Sequence, residues 1–299
     1  MTSTSAMILA AGFGTRLGQL SAWLPKPLVP IGDRPAVAHV LERLRAAKAL
    51  REPIVVNAHH RAVEIAAYAR GVGLAVSHER ELLGTGGGIH HAAALLGAGD
   101  VLVWNGDMIG ALDVDAVLAA HAERAVRGAL ATLVVALRSD DRGNTGLDAQ
   151  GDVVRLRREA CRPGEVRSAD FLGIHVVGAA LRAELPVSGG IIEETYLPAM
   201  RRGARLASFA CEVPFLDVGT PRAYLEANLQ WLARRGLPAF RAEGATCALD
   251  VTLDRAVLGA GARVVGTGAL ERCVVWPGAM VDAPRAGAIV GTGGIVSVD

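Results

Sequence analysis

The sequence predicts an α/β fold, a doubly wound mixed sheet followed by a short C-terminal left-handed β-helix. In the first half of the 299-residue chain, short apolar runs alternate with amphipathic stretches, which indicates parallel strands joined by helices. From about Ala129, strand-like runs follow one another over shorter links, so we expect the sheet to become mixed. The C-terminal residues repeat a β-branched pair beside a glycine corner, which favours a coil of stacked turns.

The first strand and the first long helix are read directly from hydrophobic spacing. "AMILAAG" is a continuous apolar run of strand length, as expected for a strand covered on both faces. Val37, Val40, Leu41 and Leu44 recur at helical spacing, so 35–47 is predicted as an amphipathic helix opened by proline.

The remaining elements follow the same alternation. The predicted strands are "PIVVN", "GLAVSH", "DVLVWNGD", "ALATLVVAL", "GDVVRLR" and "DFLGIHVV", and the predicted helices are "RAVEIAAYA", "GGIHHAAALLG", 113–126, "IEETYLPAMRRG" and "PRAYLEANLQWLARRG". A linker is expected near "GLPAFRAEGA". The predicted domains are therefore 1–237 and 245–299.

Three C-terminal segments, 256–264, 273–281 and 288–296, can be stacked on one another. Their starting points are nearly evenly spaced along the chain, at an interval close to one turn of a three-sided left-handed β-helix. A glycine-rich β-meander is the alternative. So short a coil must pack on the main domain or on another subunit, which suggests a homo-oligomer.

Composition excludes several function classes. The net charge of +1 shows no basic surface for nucleic acid or membrane. The chain has no signal-peptide pattern and no apolar run of membrane length, so a soluble, cytoplasmic protein is expected. The four cysteines form no C-x-x-C pair and are interpreted as free thiols.

The segment 7–35, "MILAAGFGTRLGQLSAWLPKPLVPIGDRP", breaks an apolar strand with a long glycine-containing loop. The spacing of Gly12, Gly14 and Gly18 fits no dinucleotide fingerprint, and no Walker A motif is present. What remains is Arg16, Lys26 and free backbone amides, a set suited to a polyphosphate. Lys26 is one of only two lysines in the chain, and the prolines on both sides of it stiffen the backbone there.

Two aspartates follow apolar strands. Asp107 ends "VWNGD", and Asp217 lies in "FLDVG". A carboxylate at such a strand end is costly unless it is paired, capped or bound to a metal, so a helix cap or turn is the alternative to a metal ligand. The adjacent pairs His59-His60 and His90-His91 have no spaced partner and are interpreted as surface or capping residues.

The opening segment closely resembles the L-A-G-G-x-G-T-R-L…P-K-P motif of the sugar-1-phosphate nucleotidylyltransferases (NDP-sugar pyrophosphorylases). "ELLGTGGGI", "VWNGDM" and "FLDVGTPRAYLEAN" resemble the same family in the same order. The resemblance covers 7 to about 235 and implies a Rossmann-like nucleotidyltransferase domain. It implies that Arg16 holds the leaving pyrophosphate and that Lys26 neutralises the reacting phosphates. It also implies one Mg²⁺, held by Asp107 and Asp217.

The same resemblance implies two substrate pockets. The residues implied for the nucleotide are Leu9, Ala11, Gly12, Gly14, Thr15, Glu79, Gly84 and Thr85. Those implied for the sugar are Gly146, Gly173 and Glu193, the last within "IIEETYLP", which resembles a mannose-1-phosphate guanylyltransferase motif. The segment before "LGT" lacks the glutamine typical of thymidylyl and uridylyl members. "RREA" replaces the family's E-E-K-P, and Phe171 replaces a frequent asparagine.

The resemblance implies a Mg²⁺-dependent enzyme that joins an NTP and a sugar 1-phosphate, most simply GTP and mannose 1-phosphate. Thymidylyl, uridylyl (including muramic acid 1-phosphate uridylyl) and heptose-guanylyl transfer are alternatives. A non-catalytic nucleotide-sugar sensor is the alternative of another class. Acyl transfer by the coil is rejected because the coil contains no histidine base.

Overall fold

The computed structural model describes residues 4–298. They form two compact units. The first contains the chain up to Gly12 and Val40–Phe215, and the second contains Phe13–His39 and the chain from Leu216 onward. The loop after the first strand therefore belongs to the same unit as the C-terminal coil. The domain bounds 1–237 and 245–299 stay a prediction.

The first unit is built on a ten-stranded sheet. Its strands are β1 (Thr4–Leu9), β2 (Leu50–Ala58), β3 (Ala75–His78), β4 (Val101–Asn105), β5 (Ala129–Leu137), β6 (Thr145–Leu147), β7 (Val153–Leu156), β8 (Glu159–Ala160), β9 (Arg167–Val177) and β10 (Arg205–Ala210).

The strand order of this sheet marks where a ligand can bind. Strands β3, β2, β1 and β4 are adjacent in that order and parallel. The chain direction across the sheet reverses at β1, and such switch points bind ligands beyond the carboxyl ends of the strands. Strand β9 pairs antiparallel with β4 and with β5. The predicted mixed α/β sheet is therefore confirmed.

The α-helices are α1 (Gln19–Trp23), α2 (Ala36–Ala46), α3 (Ala62–Gly71), α4 (Gly84–His91), α5 (Ala93–Leu96), α6 (Val114–Val126), α7 (Ala179–Arg182), α8 (Leu197–Arg201) and α9 (Pro221–Arg234). Short turns of other helix types are Thr15–Leu17, Lys26–Leu28 and Ile192–Tyr196. Two-residue strands are Pro30–Ile31, Arg34–Pro35, Met108–Ile109 and Leu216–Asp217.

The helix predicted at 35–47 is confirmed as α2. Its four apolar positions at helical spacing are all buried, so they form the face that packs inward. The helices α6 and α9 begin at side-chain caps, where Asp113 accepts from the amide of Ala116 and Thr220 accepts from that of Ala223. These bonds satisfy amides that the helix itself leaves open.

Helix α4 begins earlier than its apolar pattern predicts. The helix was expected from "GGIHH", with "LGT" in the loop before it, but its first turn starts at Gly84. Glycine is a poor helix former, so tertiary contacts must select this conformation. Those contacts are described with the site.

The C-terminal strands of the second unit are β11 (Phe240–Arg241), β12 (Thr246–Cys247), β13 (Val251–Asp254), β14 (Val257–Leu258), β15 (Arg263–Val275), β16 (Met280–Gly291) and β17 (Gly294–Ser297). Val257 pairs with Val274, and Val274 pairs in turn with Ile289. Both pairings are parallel, and they join the same positions that the stacked segments predict. Pairing starts at Phe240, which bonds in register with Val257.

The last stacked segment differs from its expected course. Residues 288–296 were predicted to form another coil, but β17 folds back antiparallel on β16, with Ala288 opposite Ser297. The turn at Gly291–Gly294 allows this reversal. A strand that pairs with its own coil satisfies backbone groups that an open last coil would leave exposed.

Within residues 4–298, no helix has the length and apolar character needed to cross a membrane. The four cysteines are free, and Cys273 is buried. The interpretation of these cysteines as free thiols is therefore confirmed.

Candidate active site

The carboxyl ends of β1 and β4 meet through the backbone. The amide of Gly106 donates to the carbonyl of Leu9 over 2.9 Å, and Asp107 follows directly. The carbonyl of Ala11 accepts from the amide of His60. Within the described residues, no acceptor is found for the amide of Gly12. This strand end therefore offers a free amide and a carboxylate on the first unit.

Glu79 lies behind this strand end rather than on its surface. The residue is 1% exposed, and its Oε1 accepts from Nδ2 of Asn57 over 2.7 Å. Asn57 in turn accepts from the amide of Ala10 over 2.6 Å, and Glu79 Oε2 accepts from the amide of Leu83. The carboxylate thus ties the loop before α4 to β2 and to the end of β1.

The glycines of "GTGGG" allow two backbone segments to approach closely. The carbonyl of Gly189 accepts from the amides of Gly86 and Gly87, and the carbonyl of Leu83 accepts from the amide of Gly189. A Cβ on Gly84 would lie 2.6 Å from the Gly189 oxygen, and Gly84 has a positive φ of 73°. The early start of α4 is explained because the segment preceding Ile192–Tyr196 caps its first turn.

Two predicted sugar-side glycines are also positions of close approach. A Cβ on Gly173, where φ is +68°, would overlap the side-chain amide of Asn105. A Cβ on Gly146 would overlap the carboxylate of Glu165. Both glycines therefore make room for a polar side chain of the protein.

Glu193, the predicted sugar acceptor, forms an ion pair with Arg157. It lies in the Ile192–Tyr196 turn, whose Tyr196 hydroxyl is hydrogen-bonded to Nδ1 of His175 on β9. Burial lowers the pKa of His175 to about 3 and raises that of Tyr196. The neutral His175–Tyr196 pair fixes the turn that carries Glu193.

In the second unit, the loop after Gly12 brings both predicted cations to one carboxylate. Nη1 of Arg16 lies 3.6 Å from Oδ2 of Asp217, and Nζ of Lys26 lies 3.7 Å from Oδ1. The Lys26 side chain is 11% exposed, whereas that of Arg16 is 67% exposed. A Cβ on Gly14 would lie 3.2 Å from Cβ of Lys26, so the glycine admits the lysine stem.

Gly219 completes this cluster. A Cβ there would lie 2.8 Å from Asp217 Oδ1 and 3.1 Å from Arg16 Nη1. The glycine of "FLDVG" is therefore required by the approach of the aspartate and the arginine. An ammonium, a guanidinium and a half-exposed carboxylate at this spacing can bind phosphate oxygens and a cation together.

A protein-family model matches the first half of the chain, at residues 5–156, and the description of that model is nucleotidyl transferase. The chain belongs to the nucleotidyl transferase family. The resemblance of its sequence motifs to the sugar-1-phosphate nucleotidylyltransferases is thereby confirmed.

Characterised relatives of this nucleotidyl transferase include two kinds of enzyme. It is 38% identical over 240 residues to the N-acetylmuramate alpha-1-phosphate uridylyltransferase of Caulobacter vibrioides, covering 75% of this chain and 95% of that protein. It is 30% identical over 237 residues to the mannose-1-phosphate guanyltransferase of Aspergillus oryzae, covering 76% of this chain and 64% of that protein.

Solved structures share the fold. HddC from Yersinia pseudotuberculosis, complexed with GMP-PN, matches with a TM-score of 0.61 at 22% identity, covering 77% of this chain and all of that one. The UDP-glucose pyrophosphorylase of Acinetobacter baumanii matches with a TM-score of 0.63 at 19% identity, covering 78% of this chain and 95% of that one. Both support the Rossmann-like sheet of the nucleotidyl transferase.

Several residues that shape this nucleotidyl transferase lie in or beside the sequence motifs, but the motifs do not show that they contact one another. In the second unit, Asn228 Oδ1 accepts from the amide of Gly32 over 2.8 Å, and the Tyr224 hydroxyl donates to the carbonyl of Pro30 over 2.6 Å. A Cβ on Gly32 would overlap the indole ring of Trp231. Helix α9, which lies in a predicted family segment, thus fixes the end of the loop that carries Lys26.

The two predicted metal ligands, Asp107 and Asp217, are far apart in the sequence. Within residues 4–298, no group of three or more His, Cys, Asp or Glu side chains forms a metal site. Mg²⁺ commonly uses one or two carboxylates and completes its ligands with water and substrate phosphates. The half-exposed carboxylate of Asp217 suits that chemistry, and the pair Asp107 and Asp217 stays a prediction.

Proposed function

We propose that this nucleotidyl transferase moves a nucleotidyl group from an NTP to a sugar 1-phosphate, giving an NDP-sugar and pyrophosphate. The observation that carries the proposal is the meeting of Arg16 and Lys26 at Asp217. Phosphoryl chemistry between two polyanions depends mainly on such positioned positive charge. The uridylyltransferase relative, which carries out this class of reaction, matches this chain over most of its own length.

In this reaction an oxygen of the sugar phosphate attacks the α-phosphorus of the NTP. The bond from that phosphorus to the bridging oxygen of the β-phosphate breaks, and pyrophosphate leaves with the electron pair. Lys26 neutralises the attacking phosphate and the α-phosphate, and Arg16 holds the leaving pyrophosphate. No general base is needed because the nucleophile is already an ionised phosphate oxygen.

We assign Asp107 and Asp217 as the carboxylates that hold Mg²⁺. When bound, the ion supplies positive charge to the phosphate oxygens. The free amide of Gly12, with Leu9, Ala11, Gly14, Thr15, Gly84 and Thr85, is proposed for the nucleotide. Glu79 acts in this scheme by holding the loop before α4, since protein donors occupy both of its oxygens.

Two substrate pairs are proposed. GTP with mannose 1-phosphate follows from the motif around Glu193 and from the fungal guanyltransferases. UTP with N-acetylmuramate 1-phosphate is the second candidate, because the uridylyl relative is 38% identical and is covered over 95% of its length. The sugar contacts proposed in either case are Gly146, Gly173 and Glu193.

The parallel register of the C-terminal coil supports its proposed identity as a left-handed β-helix. We propose that the coil mediates self-association, since β17 covers β16 but is itself the outer strand of the coil's sheet. We also propose a cytoplasmic location for the enzyme.

The test is pyrophosphate release with Mg²⁺ across a grid of five NTPs and a panel of sugar 1-phosphates. Lys26→Ala should lower kcat by about 10²-fold or more, with folding checked by circular dichroism. Lys48→Ala is the matched control, because Lys48 is the other lysine of the chain and lies outside the proposed site. Nucleotide binding without turnover anywhere in the grid would instead indicate the sensor.

A further inference from the structure

A basic pocket opens on the first unit beside the strands β6, β7 and β8. Its volume is about 470 Å³, which is within the range of small-molecule sites. The pocket is lined by Arg142, Gly143, Asn144, Arg155, Arg157 and Arg158. Four of the six lining residues are arginines and none is acidic. Nothing in the proposed reaction uses these arginines.

Hydrogen bonds within the protein hold one wall of this basic pocket. Arg155 donates to both carboxylate oxygens of Glu165, at 2.9 and 2.8 Å, and to the carbonyls of Gly143 and Arg157. The Arg155 side chain is 17% exposed, so it is fixed rather than solvated. The amide of Arg157 donates to the carbonyl of Asn144 over 2.6 Å.

Arg157 and Arg158 form the two-residue turn between β7 and β8, where Leu156 pairs with Glu159. Arg157 has a φ of +55°, in the left-handed region that favours glycine or asparagine at such turns. The left-handed conformation is unfavourable for a long side chain, and Arg61, Arg255 and Arg272 also adopt it. The backbone at Arg157 therefore sets the direction of this turn, and the case for a ligand depends on the charges around it.

The arginines of the pocket differ in whether a carboxylate pairs with them, and the charge of Asp141 also acts on Arg155. Glu165 pairs with Arg155, and Glu193 pairs with Arg157. Arg142 and Arg158 have no carboxylate partner among residues 4–298. The nearby carboxylates of Asp140 and Asp170 are both paired with Arg138. Two guanidinium groups therefore remain available to an anion.

The basic pocket adjoins the residues proposed for the sugar. Its Arg157 pairs with Glu193, and the Glu165 that fixes Arg155 lies against Gly146. We propose that the basic pocket binds a carboxylate carried by the sugar, so that the substrate is an acidic sugar 1-phosphate. This inference rests on the proposed function, and it selects among the substrates that the function allows.

A carboxylate suits the pocket for two chemical reasons. Two planar guanidinium forks can each take both oxygens of a carboxylate, which an uncharged hydroxyl cannot offer. The phosphates of the two substrates are already assigned to Arg16 and Lys26. A neutral sugar would leave Arg142 and Arg158 without an anion.

The test compares acidic sugar 1-phosphates with neutral counterparts that lack the carboxylate-bearing group. N-acetylmuramic acid 1-phosphate is compared with N-acetylglucosamine 1-phosphate, and glucuronic acid 1-phosphate with glucose 1-phosphate, each with GTP and with UTP. The expected result is a higher kcat/KM for the acid of at least one pair. The double variant Arg142→Gln/Arg158→Gln should lower the acid-to-neutral ratio of kcat/KM by about 10- to 100-fold. Arg70→Gln, at an exposed arginine on α3, should leave that ratio unchanged.

Calorimetric binding of the same sugar 1-phosphates separates the two hypotheses. The absence of turnover in every activity assay rejects the proposed function. The binding measurements still test the pocket, because the double variant should lose affinity for the acidic sugars and keep its affinity for the neutral ones. Equal binding of acid and neutral sugars overturns the inference. A second outcome would also overturn the inference. In that outcome inorganic phosphate binds the wild type but not the double variant, and the wild type shows no preference for acidic sugars. The pocket would then be an effector site for an anion.

Discussion

The indole ring of Trp23 lies directly on the backbone of Gly291. A Cβ at Gly291 or at Gly293 would overlap the ring of Trp23, and the ring also makes an edge contact with Trp276 at 5.3 Å between centroids. Nε1 of Trp276 donates to the Tyr224 hydroxyl, which donates to the carbonyl of Pro30. The coil therefore fixes the loop that carries Lys26 at two points, before and after the lysine.

Gly291→Val should lower both stability and turnover, because the added side chain displaces Trp23. We expect a loss of about 1–3 kcal/mol in the free energy of unfolding and a fall in kcat of about tenfold or more. Urea unfolding and pyrophosphate release measure the two effects. Ala286→Val, a change on the same strand away from Trp23, is the control. Unchanged kcat in a folded Gly291→Val protein would show that the coil does not position the loop.

Removal of divalent metal should abolish pyrophosphate release, and Mg²⁺ should restore it. Asp217→Asn should lower kcat by about 10²-fold or more, since it removes a proposed metal ligand and the countercharge of Lys26 and Arg16. A Mg²⁺ titration of the initial rate should also shift to higher concentration. Asp250→Asn, at an exposed aspartate of the coil, provides the comparison. Full activity in excess chelator would contradict the metal assignment.

Glu79→Ala should destabilise the protein more than it alters chemistry. The change leaves the Asn57 side-chain amide and the Leu83 amide without an acceptor, at a cost of about 3 kcal/mol in the free energy of unfolding. The KM for the NTP should rise because the loop before α4 loses its support. Glu81→Ala, at an exposed glutamate in the same loop, should change neither value. A higher KM without any loss of stability would instead place Glu79 in direct contact with the nucleotide.

The stability of the protein should fall as the pH is lowered from neutrality. Burial lowers the pKa of His175 from 6.5 to about 3, and burial also lowers that of His121. Below about pH 6.5 the unfolded chain therefore binds protons that the folded chain does not bind. The free energy of unfolding is at its full value above about pH 6.5 and declines as the pH falls toward about 3. His175→Gln should flatten the dependence of the unfolding free energy on pH, measured from neutral to mildly acidic buffer. His90→Gln, at an exposed histidine, should leave the slope as it is.

The sequence by itself determined the features that depend on local periodicity and contiguous motifs. The apolar spacing from Val37 to Leu44 specified α2, because a helix buries one face at that period. The nearly even repeat of β-branched segments specified the coil register, because stacked strands place like residues in contact. The loop motif specified the two cations of the candidate site, since Arg16 and Lys26 lie within one contiguous segment and both reach Asp217.

Only the tertiary structure decided how distant segments complete one another. Gly32 and Asn228 are bonded across 196 positions, and Trp23 rests on Gly291, pairings that no local pattern predicts. The close approach of the backbone at Gly189 explains the glycines of α4. The structure also shows which arginines of the basic pocket pair with a carboxylate and which do not. Packing and charge compensation act through space, so a residue such as Glu79 looks the same in sequence whether it faces a ligand or is buried behind a loop.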